Sequence, residues 1–177
     1  MGLYIQRIYW ACILSAVFCS VHASAAEQPH IQTPAPVIHL ADNFGETREL
    51  GWCIDTIGKG FAENLHAHSC KPQGGDVQFS YDAKTGKIRS VAYPKFCMTY
   101  QSAHDLTLTL TDCEASNTKQ QFSYNLATKE IRLGKTPDQC IVVGEPIRTA
   151  GPFMSRDLII QDCSTAGSRS KEWVIVP

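Results

Sequence analysis

Wherever the chain beyond residue 50 is patterned, apolar and polar residues alternate with a period of two. Thr107-Leu108-Thr109-Leu110-Thr111 is the clearest case, with every second side chain apolar, as in a strand that buries one face. Leu158-Ile159-Ile160-Gln161 and Val174-Ile175-Val176 are short apolar or β-branched runs of the kind that fill strands. Gly74-Gly75 and Asp82-Ala83-Lys84-Thr85-Gly86 supply turn chemistry between such runs. No helix-period stretch of useful length follows the first 26 residues. The pattern predicts an all-β domain of short strands and tight turns.

The pattern also repeats. Gln78-Phe79-Ser80-Tyr81 returns as Gln121-Phe122-Ser123-Tyr124, 43 positions later, and Lys87-Ile88-Arg89 returns as Glu130-Ile131-Arg132 at the same offset. Cys53, Cys97 and Cys140 are spaced by 44 and 43 residues, and Cys70 to Cys113 is again 43. Cys113 to Cys163 is 50, so the third unit carries about seven extra residues, around Pro146–Pro152. An aromatic follows each second cysteine by 9 or 10 positions: Phe79, Phe122 and Trp173. Three units that cannot each bury their own apolar face imply a threefold closed β structure, which also removes exposed sheet edges.

Length and composition narrow the picture. The 177 residues make one domain with a tail, and 44% apolar content is enough for one core. A formal net charge of −1, with no basic run, excludes a general electrostatic grip on nucleic acid. Residues 1–26 read as a cleavable secretory leader: Arg7, the apolar run Ile8–Val21, then the small-x-small site Ala23-Ser24-Ala25. A membrane anchor is the rival reading, but the run of about 14 residues is short for a span. The expected location is therefore secreted or periplasmic. Cys12 and Cys19 leave with the leader. The six remaining cysteines allow 15 pairings in an oxidising compartment. Three equivalent units favour one bridge inside each: Cys53–Cys70, Cys97–Cys113 and Cys140–Cys163. Each would contribute roughly 3 kcal/mol in the chain-entropy account. Residues 27–47 carry Pro29, Pro34 and Pro36 among Ile31, Val37, Ile38, Leu40 and Phe44, so they read as an extended arm. It is too apolar for a plain linker and suited to packing on a partner or on the domain at 48–177.

The units resemble those of the ricin-type β-trefoil lectin family. The resemblance rests on Cys53-Ile54-Asp55 at a first strand, on the strand end His68-Ser69-Cys70, and on the closing Gln-x-aromatic signature, complete as Gln120-Gln121-Phe122 and altered to Val77-Gln78-Phe79 and Lys171-Glu172-Trp173. It implies a β-trefoil over about residues 50–177, closing aromatics that plug the core, and a non-catalytic carbohydrate-binding function. A family sugar site draws on the Asp after the first Cys-x, two strand positions before the second Cys, and an Asn before the signature. In the first unit these positions hold Asp55, His66, His68 and Asp76. His68 stands where a stacking aromatic is usual, and Asp76 replaces the Asn, which removes a donor. A solvated surface strand is the alternative reading. The second unit offers Thr99, Thr109, Thr111 and Lys119, and the third Val142, Ile159, Gln161 and Ser170. Neither has the carboxylate or an aromatic platform, so both are expected to be structural.

Other chemistry is thinly represented. His66-Ala67-His68 puts two imidazoles on one strand face, and Asp55 or Asp76 could add a metal ligand, but the pair alone is weak support and no Cys-x2-Cys is present. Nucleophile-elbow, phosphate-loop and HExxH motifs are absent. The expectation is no enzyme, no cofactor and no metal. The expected partner is a glycan or glycoconjugate. The layout is also similar to that of the binding subunits of cytolethal distending toxins, which implies a possible protein partner in a toxin-like assembly. The Gln-x-aromatic repeat argues against the protease-inhibitor trefoils.

Overall fold

Four strands come from each unit. The structure, a computed structural model, describes residues 27–57, 61–101 and 107–177. The leader expected over residues 1–26 lies outside the described residues. The first unit supplies β1 (Val37–Leu40), β2 (Trp52–Thr56), β3 (Leu65–Ser69) and β4 (Phe79–Asp82). The second supplies β5 (Lys87–Ser90), β6 (Phe96–Tyr100), β7 (Leu108–Asp112) and β8 (Phe122–Asn125). The third supplies β9 (Glu130–Leu133), β10 (Gln139–Val143), β12 (Phe153–Asp162) and β13 (Trp173–Val176), with an extra strand β11 (Arg148–Ala150). Within the units β2–β3, β6–β7 and β10–β12 pair antiparallel, and β4–β5 and β8–β9 join each unit to the next. β1 pairs with β13, Val37 opposite Val176 and Leu40 opposite Trp173, so the two ends of the chain close the structure. This is the β-trefoil that the repeat implied.

Two-residue alternation decides what each strand buries. Trp52 and Ile54, Leu65 and Ala67, Leu108 and Leu110, Ile141 and Val143, and Leu158 and Ile160 all point into one core. Phe79, Phe122 and Trp173 are buried in the same core and plug it, one per unit. The repeated Tyr also has a use. Tyr81 Oη donates to the Phe122 carbonyl at 3.2 Å and Tyr124 Oη to the Trp173 carbonyl at 2.8 Å, so each ties its unit to the next unit's plug. Only two short helical turns occur among the described residues, a 3-10 turn at Thr118–Gln120 and α1 at Ser168–Lys171, each just before a closing aromatic.

β1 lies inside the segment 27–47 that its prolines set apart, so the middle of that segment is a strand of the trefoil. The part before it runs along the first unit. The His30 amide donates to the Glu49 carbonyl at 2.6 Å, and Thr33 Oγ1 donates to the Lys71 carbonyl at 2.9 Å. Gly51, with φ near +75°, allows this approach: a Cβ there would lie 2.6 Å from Pro29 Cβ.

All three bridges form as expected, Cys53–Cys70, Cys97–Cys113 and Cys140–Cys163, with Cα separations of 5.0, 5.0 and 5.1 Å. At the position two residues before each closing aromatic the three units use different chemistry. In the first unit Val37 and Val77 pack with Cys53 and Cys70 in an apolar cluster. In the second, Lys87 Nζ donates to Gln120 Oε1 at 3.1 Å, and the wholly buried Gln120 amide also donates to Thr111 Oγ1 and the Asp112 carbonyl. In the third, Lys171 Nζ pairs with Glu130 Oε1 at 3.0 Å, and Arg132 also bonds Glu130. The signature glutamine is thus one of three solutions, which explains why Val77 and Lys171 can replace it.

Burial pushes the Glu130 carboxyl up, but hydrogen bonds from Arg132, Lys171 and Thr128, with the charge of Lys171, outweigh it and hold the group down at about 2. A folded value below the unfolded one gives stability that is present above pH 4.5 and lost as pH falls toward 2. The contribution is at most about 3 kcal/mol. Denaturant unfolding between pH 6 and 2.5 is therefore expected to show a flatter acid decline for Glu130→Gln than for wild type. Parallel curves would remove this role for Glu130.

Candidate carbohydrate site on the first repeat

The β2–β3 register sets Cys53 opposite His68 and Asp55 opposite His66. Alternation turns these four side chains to the outer face, while Trp52, Ile54 and Ala67 face the core. Asp55, His66 and His68 are thereby brought together, and the loop after β3 adds Asp76. At their centre is Lys71, which sequence reasoning missed. Its Nζ lies 2.7 Å from Asp55 Oδ2 and 2.8 Å from Asp76 Oδ1. His68 Nδ1 and His66 Nε2 stand 3.7 and 3.8 Å from the same Asp55 oxygen. Two carboxylates this close need a cation between them, and that need was the available signal for Lys71.

The polar inventory is incomplete in an informative way. Asp55 is fully buried, and its Oδ1 accepts from the Thr56 amide at 2.7 Å. Its Oδ2 meets Lys71 Nζ in an ion pair at 2.7 Å. His66 Nε2 is buried with no hydrogen-bond partner, while Asp55 Oδ2 is held by Lys71. Burial would lower the Lys71 ammonium, but the hydrogen bonds and charges of Asp55 and Asp76 outweigh it and hold it above the ordinary lysine value. Burial keeps the His68 imidazole below its ordinary value, against the pull of the Ser69 hydrogen bond and the Asp55 charge. That direction favours the neutral imidazole at pH 7. Its Nδ1 faces the Ser69 carbonyl at 2.8 Å. A carbonyl only accepts, so Nδ1 carries the proton and Nε2 is an acceptor.

A cavity of about 360 Å³ opens over this cluster, lined by His66, His68, Lys71, Ala150, Gly151, Pro152 and Phe153. The size suits a small ligand. Asp55 does not line it and acts on it only through Lys71 and the imidazoles. Four of the lining residues belong to the third unit. The seven-residue insertion folds as the β11–β12 hairpin, and it lengthens β12 to ten residues where a short strand was expected. The extra length pairs with β3, Ser155 opposite His68 and Asp157 opposite His66. The Met154 amide donates to Ser69 Oγ at 3.0 Å, and Ser69 Oγ donates to the buried Glu46 carboxylate at 2.8 Å. The insertion is thus fixed to the first unit at the residues that bear the imidazoles. It brings the Phe153 ring to 5.5 Å from that of His68, with the Arg48 guanidinium 5.1 Å from the Phe153 centroid.

The matching positions of the other units are closed on themselves. Thr99 and Thr111 hydroxyls bond each other at 2.7 Å, Gln101 donates to Thr109, and Lys119 Nζ reaches the Gln101 carbonyl. In the third unit Val142 is buried, Gln161 donates to Thr165 Oγ1, and Ser170 Oγ donates to the Gly167 carbonyl. The grouping of Glu130 with Cys140 and Cys163 is no metal centre, since both sulfurs are bonded to each other. No helix among the described residues is long and apolar enough to cross a membrane.

Comparison with known proteins agrees with this architecture. The family model for the ricin-type beta-trefoil lectin domain matches residues 43–173. No curated protein sequence matches. Among solved structures, the earthworm R-type lectin C-half in complex with GalNAc superposes with a TM-score of 0.57 at 15% identity, over 78% of this chain and 95% of that one. The β-trefoil lectin of Vibrio vulnificus hemolysin/cytolysin, solved with N-acetyl-D-lactosamine, gives 0.55 at 18% identity, over 79% and 91%. A chain of the Haemophilus ducreyi cytolethal distending toxin gives 0.56 at 12% identity, over 85% and 89%.

Proposed function

The chain belongs to the ricin-type β-trefoil lectin family, and on that premise we propose that it is a secreted, non-catalytic carbohydrate-binding protein with one sugar site, on the first repeat. The observation that carries the reading is the cavity lined by Lys71, His66 and His68 above the Asp55 carboxylate, with His66 Nε2 buried and without a hydrogen-bond partner. Buried polar groups are nearly always satisfied, so an open one at a cavity lined by polar side chains suits a ligand rich in hydroxyls. The family's domains generally bind carbohydrate without catalysis, and the same is proposed here. Three disulfides support an oxidising destination, secreted or periplasmic.

The test is a glycan-array screen of the oxidised protein with Asp55→Ala alongside. Asp55 fixes Lys71, and hydrogen bonds to charged groups contribute about 1.5–3 kcal/mol, so the variant is expected to lose affinity by a factor of roughly ten to a hundred. A folded variant that binds like wild type would overturn the site. A second reading, a glycan- or receptor-binding subunit of a toxin-like complex, is supported by the likeness to cytolethal distending toxin chains over most of both lengths. Co-purification with a second, different protein subunit would favour it, and a lone monomer with tight glycan binding would count against it.

A further inference from the structure

Resting on that reading, we propose that the site is a composite of two repeats in which Phe153 supplies the stacking face, Lys71 Nζ and His68 Nε2 read two neighbouring hydroxyls, and the ligand is a neutral pyranose. A pyranose presents an apolar C–H face and a hydroxyl edge, so its site needs a flat apolar surface beside a donor and an acceptor. The first repeat alone lacks the flat surface, since His68 stands where its aromatic would be. The hairpin of the third repeat provides one, because Phe153 lines the cavity next to His68. Lys71 spends two of its three donors on Asp55 and Asp76, which leaves one for a ligand oxygen. His68 Nε2, on the far side of the ring from the Ser69 carbonyl, accepts from a hydroxyl.

Charge selects the ligand class. Asp55, Asp76 and the buried Glu46, which accepts from Ser69, carry three negative charges against the positive charges of Lys71 and of Arg48 over the Phe153 ring. A sugar carboxylate or sulfate would enter a cluster that already has a negative excess, with poor screening by water. A neutral sugar meets no such penalty. The hairpin is also no loose ornament, because Met154, Ser155 and Asp157 are paired or bonded to β3 and Ser69. The platform is held where the imidazoles are.

The experiment is calorimetric titration of the oxidised protein at pH 7.5 with N-acetylgalactosamine, N-acetyllactosamine and N-acetylneuraminic acid. Wild type, Phe153→Ala, Phe153→Leu, His68→Leu and His68→Gln are compared, with thermal unfolding as the check on folding. An aromatic contact of about 1 kcal/mol predicts a five- to tenfold loss for both Phe153 variants. Leu keeps the apolar volume without the flat face, so it serves if Ala disturbs the hairpin. His68→Leu is expected to lose about tenfold, and His68→Gln, which restores an acceptor, to stay within about threefold of wild type. Neutral-sugar binding that all four folded variants retain would overturn the composite site and leave the lectin reading standing. Tighter binding of N-acetylneuraminic acid than of the neutral sugars would overturn the ligand class. No binding of any of the three to folded wild type would overturn the lectin reading with it.

Discussion

Lys71→Met is expected to destabilise the protein by about 3–5 kcal/mol at pH 7, the usual loss when one partner of a buried ion pair is removed. Asp55 has no exposed surface, and Lys71 is the only full positive charge within 4 Å of its carboxylate among the described residues. Without Lys71 the wholly buried Asp55 charge is left facing that of Asp76 with no counterion between them. The midpoint of thermal unfolding should fall by roughly 10 °C for a domain of this size. Asp55→Asn added to Lys71→Met removes the stranded charge and should recover most of the loss. Full stability in the single variant, or no recovery in the double, would show that the Asp55 charge does not depend on Lys71.

Trp173→Ala is expected to remove about 3–5 kcal/mol, enough to unfold much of a marginally stable domain. The ring is wholly buried and its Nε1 donates to the Ile141 carbonyl at 2.9 Å. Its backbone carbonyl receives Tyr124 Oη, and its amide donates to the Lys129 carbonyl. It also pairs with Leu40, so it closes the barrel between the two ends of the chain. Trp173→Phe, which matches Phe79 and Phe122 in the other units, should lose far less. Chemical denaturation of the oxidised proteins measures both. Equal losses in the two variants would mean that the indole hydrogen bond, and not the filled volume, holds the plug.

The fold was legible because it is written three times. A 43-residue period in Cys53, Cys97 and Cys140, and in the Gln-Phe-Ser-Tyr runs, reports a geometry that each unit must satisfy on its own. The bridges followed from that symmetry. The place of β1 did not, because Val37–Leu40 sits among prolines and gains strand structure from β2 and, above all, from β13 at the other end of the chain. The site was half legible. Asp55, His66, His68 and Asp76 meet because register and alternation are local properties. Lys71 joins them through an ion pair that spacing does not encode, although two acids in one small face demand a counterion. Phe153 comes from a different repeat, where the symmetry is broken. The seven extra residues announced a departure, but only the pairing of β12 with β3 shows where it leads.

The most direct test is an NMR titration of the oxidised protein with N-acetyllactosamine, following imidazole, aromatic and amide resonances. Sugar binding on the first repeat predicts saturable shifts at His66, His68, Lys71 and Phe153, with Thr99, Thr109, Val142 and Gln161 unmoved. Shifts centred on the second or third repeat, or none at any millimolar concentration from a folded protein, would contradict it.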